Sequence, residues 1–126
     1  MVKYYHGTHC ERVKNIKNQG LRIAEFSSIH VEAFGKKPAV YLTKDLDAAI
    51  YYGYDASKDV PAEYLEQAQA DYKNICVIEI NCLAKGEKAI PDGYGDFKTF
   101  KSIPSKCIGK ILYPKDLKSM GLWEWD

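Results

Sequence analysis

Hydrophobic and polar positions fall into two periods, separated by stretches that show neither. Val2-Lys3-Tyr4-Tyr5 is short and β-prone and runs into His6-Gly7-Thr8-His9. A glycine there lets the backbone turn, so a strand is expected to deliver His6 to the head of a turn. From Glu11 to Gln19 the apolar positions Val13 and Ile16, followed by Leu21, recur at helical spacing with basic residues on the other face, and Gly20 supplies the stop. Ala39-Val40-Tyr41-Leu42-Thr43 is a compact strand, and the oxygens of Thr43 and Asp45 suit the cap of a helix from Leu46 to about Tyr52. Asp59, Pro61 and Glu63 mark a second helix start, with Tyr64, Leu65, Ala68 and Tyr72 following at helical spacing until Asn74. Ile75-Cys76-Val77-Ile78-Glu79-Ile80 is the strongest strand, a β-branched run that belongs in the interior of a sheet. Phe97 to Phe100 follows a loop, and Ile108 to Tyr113 is the last strand, ended by Pro114.

The segments between these elements carry breakers rather than a period. Residues 22–38 hold Ser27, Ser28, Gly35 and Pro38, and residues 83–95 hold Gly86, Pro91, Gly93 and Gly95, so both read as loops. The alternating tail Leu122-Trp123-Glu124-Trp125-Asp126 is expected to dock as an edge strand or apolar clasp. No repeat or linker divides the chain, and 126 residues fit a single domain, 1–126, that needs neither metal nor disulfide to fold.

Charge narrows the function classes. Eighteen basic and 17 acidic residues leave a net charge of +1, which excludes a polyanion binder working by bulk charge. The distribution is uneven: the middle third is acidic and the outer thirds basic, which still permits a locally basic face for a dinucleotide or a nucleic-acid strand. Cys10, Cys76, Cys82 and Cys107 form no Cys-x-x-Cys pair and have no histidine at zinc-ligand spacing, so no metal is expected. Four free thiols in a reducing cytoplasm are the simplest expectation. No signal segment opens the chain and no apolar run approaches the ~20 residues that span a bilayer, so no membrane association is expected.

The chain lacks G-x-G-x-x-G, G-x-x-x-x-G-K-[ST], H-E-x-x-H and G-x-S-x-G, which removes Rossmann, P-loop, zincin and α/β-hydrolase chemistry. What remains is a histidine-led, tyrosine-rich set. His6 and the glycine after it can hold a polar planar ligand by imidazole and backbone together, or His6 can serve as a turn histidine bonded to its own backbone. Tyr41 lies ten and eleven residues before Tyr51 and Tyr52, on a strand and on the helix after it, so two aromatic faces can enclose a flat ring, or can serve as core and rim.

His6-Gly7-Thr8, Gly20-Leu21, Ala39-Val40-Tyr41-Leu42-Thr43 and Ala48-Ala49-Ile50-Tyr51-Tyr52-Gly53 occur in an order that resembles the ADP-ribosyltransferase superfamily, in its histidine–tyrosine–acid branch with the poly(ADP-ribose) polymerases. The resemblance spans roughly residues 4–113 and implies an α+β fold, a split β-sandwich of two small sheets with flanking helices. It implies NAD as co-substrate, His6 bonding the adenosine ribose, the Gly7 backbone clamping the nicotinamide carboxamide, Thr8 bracing the turn, and Tyr41 as the triad tyrosine. Tyr52 matches the stacking tyrosine, with Tyr51 as second choice. The family's acid is usually glutamate before the last strand; Asp96 takes that position here, with Glu79 or no acid as alternatives. The implied activity is that of a glycosyltransferase, NAD-dependent mono-ADP-ribosyl transfer by a monomer. The acceptor stays open among protein, nucleic acid, small molecule and water. The alternatives are an inactive NAD- or ADP-ribose-binding module, an NAD glycohydrolase and a relative of the RNA 2′-phosphotransferases.

Overall fold

The computed structural model describes residues 3–21, 39–58, 74–93 and 96–122. The expectations for 22–38, for the helix of 59–73 and for the tail beyond residue 122 lie outside the described residues. Six strands are described: β1 (Tyr4–His9), β2 (Val40–Thr43), β3 (Ile75–Ile80), β4 (Ile90–Pro91), β5 (Asp96–Thr99) and β6 (Ile108–Leu112). Three α-helices accompany them: α1 (Val13–Gln19), α2 (Leu46–Lys58) and α3 (Pro114–Ser119). The class is α+β, as expected. The strands form one antiparallel sheet in the order β4-β5-β2-β1-β3-β6.

Pairing is uneven across that sheet. β1 and β3 run in register over six residue pairs, from Tyr4 opposite Ile80 to His9 opposite Ile75, whereas β1 and β2 share one, Tyr5 opposite Thr43. The sheet therefore has two well-knit halves, β4-β5-β2 and β1-β3-β6, joined at a narrow seam. β3 lies inside the second half, where its apolar run Ile75–Ile78 needs cover on both faces.

Strand alternation divides the core. Cys76, Ile78 and Ile80 of β3 point to one face with Val40, Leu42, Val13, Ile16 and Ile103. Ile75 and Val77 point to the other, where Ala49 and Ile50 of α2 and Leu117 of α3 cover them. α2 lies flush on β1 because two glycines meet there. A Cβ on Gly7 would fall 1.7 Å from the Ala49 carbonyl oxygen, and one on Gly53 would fall 2.8 Å from the Gly7 carbonyl carbon. Gly7 is thus not the pivot of a turn: β1 continues through it to His9, and the missing side chain admits the helix.

The ends of the helices follow their chemistry. The Thr43 hydroxyl accepts from the Asp45 amide at 3.1 Å and the Asp45 carboxylate accepts from the Asp47 amide at 3.1 Å, so α2 is capped as its sequence implies, though it runs on to Lys58 rather than ending near Tyr52. Gly20 closes α1 at φ 78°, with its amide donating to the Ile16 carbonyl. Pro114 ends β6 and also opens α3, proline at the first helical position being pre-set for the helix.

One expectation is corrected by the cysteines. They are not free thiols: Cys10 pairs with Cys76 and Cys82 with Cys107, with Cα atoms 5.2 and 4.9 Å apart, inside the span a disulfide requires. No spacing motif in the sequence announces either pair, because the 3-10 turn that follows β1 and strand β3 supply the first, and the β3 exit and the turn before β6 supply the second. A reducing compartment no longer follows from the cysteines. Among the described residues no helix is long and apolar enough to cross a membrane.

Candidate functional site

Alternation from the Tyr5–Thr43 pair assigns each candidate to a face. Tyr41 and Thr43 of β2 share the α2 face with Asp96 and Lys98 of β5, because Thr43 stands opposite Asp96 and Tyr41 opposite Lys98. Tyr5 and Gly7 of β1 point the same way. Tyr4, His6 and Thr8 point to the opposite face.

His6 nevertheless reaches the seam. Its Nδ1–H donates to the main-chain carbonyl of Tyr41 at 2.9 Å, a side-chain bond lying just beyond the single register pair of β1 with β2. A carbonyl oxygen only accepts, so Nδ1 carries the hydrogen and Nε2 of the neutral ring is left as an acceptor. Burial holds the His6 pKa below the usual histidine value, against the raising effect of the carbonyl bond, and the nearby charge of Arg12 adds to the lowering.

The acid is held from two directions. A turn at Gly93, φ 87°, precedes β5, where the Asp96 amide donates to the Gly93 carbonyl at 2.8 Å and the Asp92 amide donates to the Asp96 carbonyl at 2.8 Å. The phenol of Tyr52, from α2, donates to Oδ2 of Asp96 at 2.5 Å. That bond is the main reason the Tyr52 pKa is pushed up to about 12, with burial and the Asp96 charge adding to it. Tyr41, Tyr51 and Tyr52 are all exposed large aromatics, and the Tyr51 and Tyr52 rings meet edge to face at 5.9 Å.

Tyr41, Tyr52 and Asp96 are thus gathered on one sheet face beside the seam, and His6 is bound across it. Thr8 is buried on the opposite face and turned into the core. Gly7 is buried under α2. The competing carboxylate, Glu79, ends a cross-strand row that reads Glu79, Tyr5, Thr43, Asp96 through β3, β1, β2 and β5. Three strand spacings separate the two acids, roughly 14 Å, so they cannot work as a pair on one bond. Glu79 is instead ion-paired with Lys3 at 2.8 Å.

Two further residues carry polar contacts that their local sequence does not announce. Lys98, in register with Tyr41, pairs with Asp92 at 3.1 Å and lies 5.6 Å from the centre of the Phe100 ring. Its signal was the spacing of Asp96 and Lys98, two apart on a strand and therefore on one face. His9 ends β1, where its Nδ1 accepts from the Glu11 amide at 3.1 Å and caps the short 3-10 turn Cys10–Arg12. Its Nε2 is buried and meets no hydrogen-bond partner among the described residues, and burial lowers its pKa. Among the described residues no group of three or more histidine, cysteine, aspartate or glutamate side chains is placed to hold a metal ion.

No protein-family model matches the chain, and no curated protein matches it.

Proposed function

We propose that this chain is an NAD-dependent mono-ADP-ribosyltransferase whose donor site lies along the seam between β1 and β2. The observation that carries the proposal is the convergence of Tyr41, Tyr52 and Asp96 on one face of that seam, with His6 bonded across it to the Tyr41 carbonyl. The narrow join of the halves β4-β5-β2 and β1-β3-β6 supports reading the sheet as the split β-sandwich of that superfamily.

The residues suit the chemistry. Cleavage breaks the bond between the nicotinamide nitrogen and ribose C1; the ring leaves with the bonding pair as neutral nicotinamide and the ribose becomes oxocarbenium-like. The exposed faces of Tyr41 and Tyr52 grip the leaving ring, and the Asp96 carboxylate stabilises the positive charge on the sugar. A counter-charge of this kind is commonly worth ~3 kcal/mol of barrier, on the order of a hundredfold in rate. Neutral His6 offers Nε2 to a hydroxyl of the adenosine ribose. The acceptor's nucleophile then attacks C1 and loses its proton.

Incubation of the protein with NAD labelled in the adenylate, with and without cell lysate and nucleic acid, tests this directly. Free nicotinamide together with label on protein or nucleic acid supports the transferase and names the acceptor class. Nicotinamide without transferred label indicates a glycohydrolase. Bound NAD without release indicates a binding module, the reading favoured by aspartate standing where glutamate is usual.

A further inference from the structure

The acid at this site is one methylene shorter than glutamate, and aspartate χ2 is a broad, roughly two-fold torsion. An unanchored Asp96 would turn its oxygens through many orientations and meet a ribose in few of them. Tyr52 removes that freedom. Its hydroxyl donates to Oδ2 at 2.5 Å, a charge-assisted bond between α2 and β5, and its ring is braced edge to face by Tyr51 at 5.9 Å. The height of α2 above the sheet is itself fixed by the contact of Gly7 with Ala49 and of Gly53 with Gly7. An ionised carboxylate offers about four lone-pair sites on two oxygens, so a phenol on Oδ2 leaves Oδ1 available.

We propose that Tyr52 is a positioning residue for Asp96: its phenol fixes Oδ2 and so directs Oδ1 at the ribose hydroxyls of a bound dinucleotide. This rests on the transferase reading and gives Tyr52 a second task beside stacking. The ring grips the nicotinamide, and the hydroxyl orients the acid. The two tasks separate in Tyr52→Phe, which keeps the ring and loses only the hydroxyl, on a side chain that is 41% exposed and so free to change without unfolding the domain.

Steady-state nicotinamide release from NAD by wild type, Y52F, Y52A, D96N and the D96N/Y52F double variant tests the proposal, with ¹³Cζ-tyrosine NMR as the readout that does not depend on turnover. Y52F is expected to lower kcat on the order of tenfold while KM for NAD stays within about twofold, because ring contacts persist and only orientation is lost. Y52A is expected to raise KM as well. The double variant is expected to be no slower than D96N alone, since an orienting group has nothing to orient once the acid is gone. The Tyr52 resonance is expected to titrate near pH 12 in wild type and to return toward 10 in D96N. An active wild type with unchanged kcat in Y52F, or a double variant slower than D96N by the full Y52F factor, overturns the positioning role and leaves the transferase standing. A wild type that releases no nicotinamide while Tyr52 still titrates with Asp96 overturns the transferase reading, and the catalytic role with it.

Discussion

The Nδ1 of His6 lies 2.9 Å from the main-chain oxygen of Tyr41, where β1 and β2 share a single register pair. The bond ties the two halves of the sheet through an imidazole and fixes its tautomer, with Nε2 as the acceptor nitrogen. His6→Ala should therefore separate structure from function. One neutral hydrogen bond is worth about 1 kcal/mol net, or roughly 4 °C in Tm for a domain of this size. Nicotinamide release should fall on the order of a hundredfold, as for a lost transition-state contact. Thermal melts and a nicotinamide assay on the same preparation check both halves.

Gly7→Ala should act in the opposite way. A methyl group 1.7 Å from the Ala49 carbonyl oxygen is backbone against backbone, with no flexible side chain to yield. α2 must lift, carrying Tyr51 and Tyr52 away from β5. Denaturant unfolding should show a loss of at least ~3 kcal/mol. Gly86→Ala meets nothing within 4 Å and is strained only by its φ of 82°, so about 1 kcal/mol is expected there.

The two carboxylates should divide cleanly. Asp96→Asn is expected to lower turnover on the order of a hundredfold, because Asp96 is the acid beside Tyr41 and Tyr52. Glu79→Gln, some three strands away, should leave kcat near wild type and cost no more than about 1 kcal/mol of stability through its largely exposed partner Lys3. A reversal of these two results would move the catalytic acid to β3.

Both disulfides close long loops, 66 and 25 residues apart in sequence. Loop-closure entropy puts their stabilisation at roughly 4 and 3.5 kcal/mol. Native protein should be inert to a thiol reagent, and reduction should expose four reactive thiols and lower Tm by more than 10 °C, as followed by mass spectrometry and circular dichroism.

Acid should weaken the fold. His6 and His9 both have pKa values lowered chiefly by burial, so the folded state favours their neutral forms. Their stabilisation is complete above the unfolded value of about 6.5 and is lost as pH falls through the lower folded values. Tm should hold from pH 8 to 7 and decline below pH 6.5. His9→Asn keeps a side-chain acceptor for the Glu11 amide and removes one titrating ring, so its decline should be shallower.

The apolar patterns were the readable part of the fold. Ile75–Ile80 and the strand ending at Thr43 follow directly from β-branched runs, and the cap of α2 from Thr43 and Asp45, because these are local effects of side chain on backbone. The path of β1 through Gly7 was not readable locally: glycine permits a turn and a close approach equally, and α2 decides between them. The cysteine pairs were hidden for the same reason, since they depend on which strands become neighbours. At the site, His6, Tyr41, Tyr52 and Asp96 were named from their order in the chain, but their division between two faces follows from the Tyr5–Thr43 register, which no local pattern contains.

The most direct measurement is nicotinamide release from NAD by wild type and Asp96→Asn protein at equal concentration, with binding of NAD followed by calorimetry on the same samples. Release by wild type, reduced on the order of a hundredfold in Asp96→Asn with NAD still bound, is the result expected of a seam site with Asp96 as its acid. Neither release nor NAD binding by folded wild type would contradict it, and would leave His6, Tyr41 and the Tyr52–Asp96 pair as structural contacts.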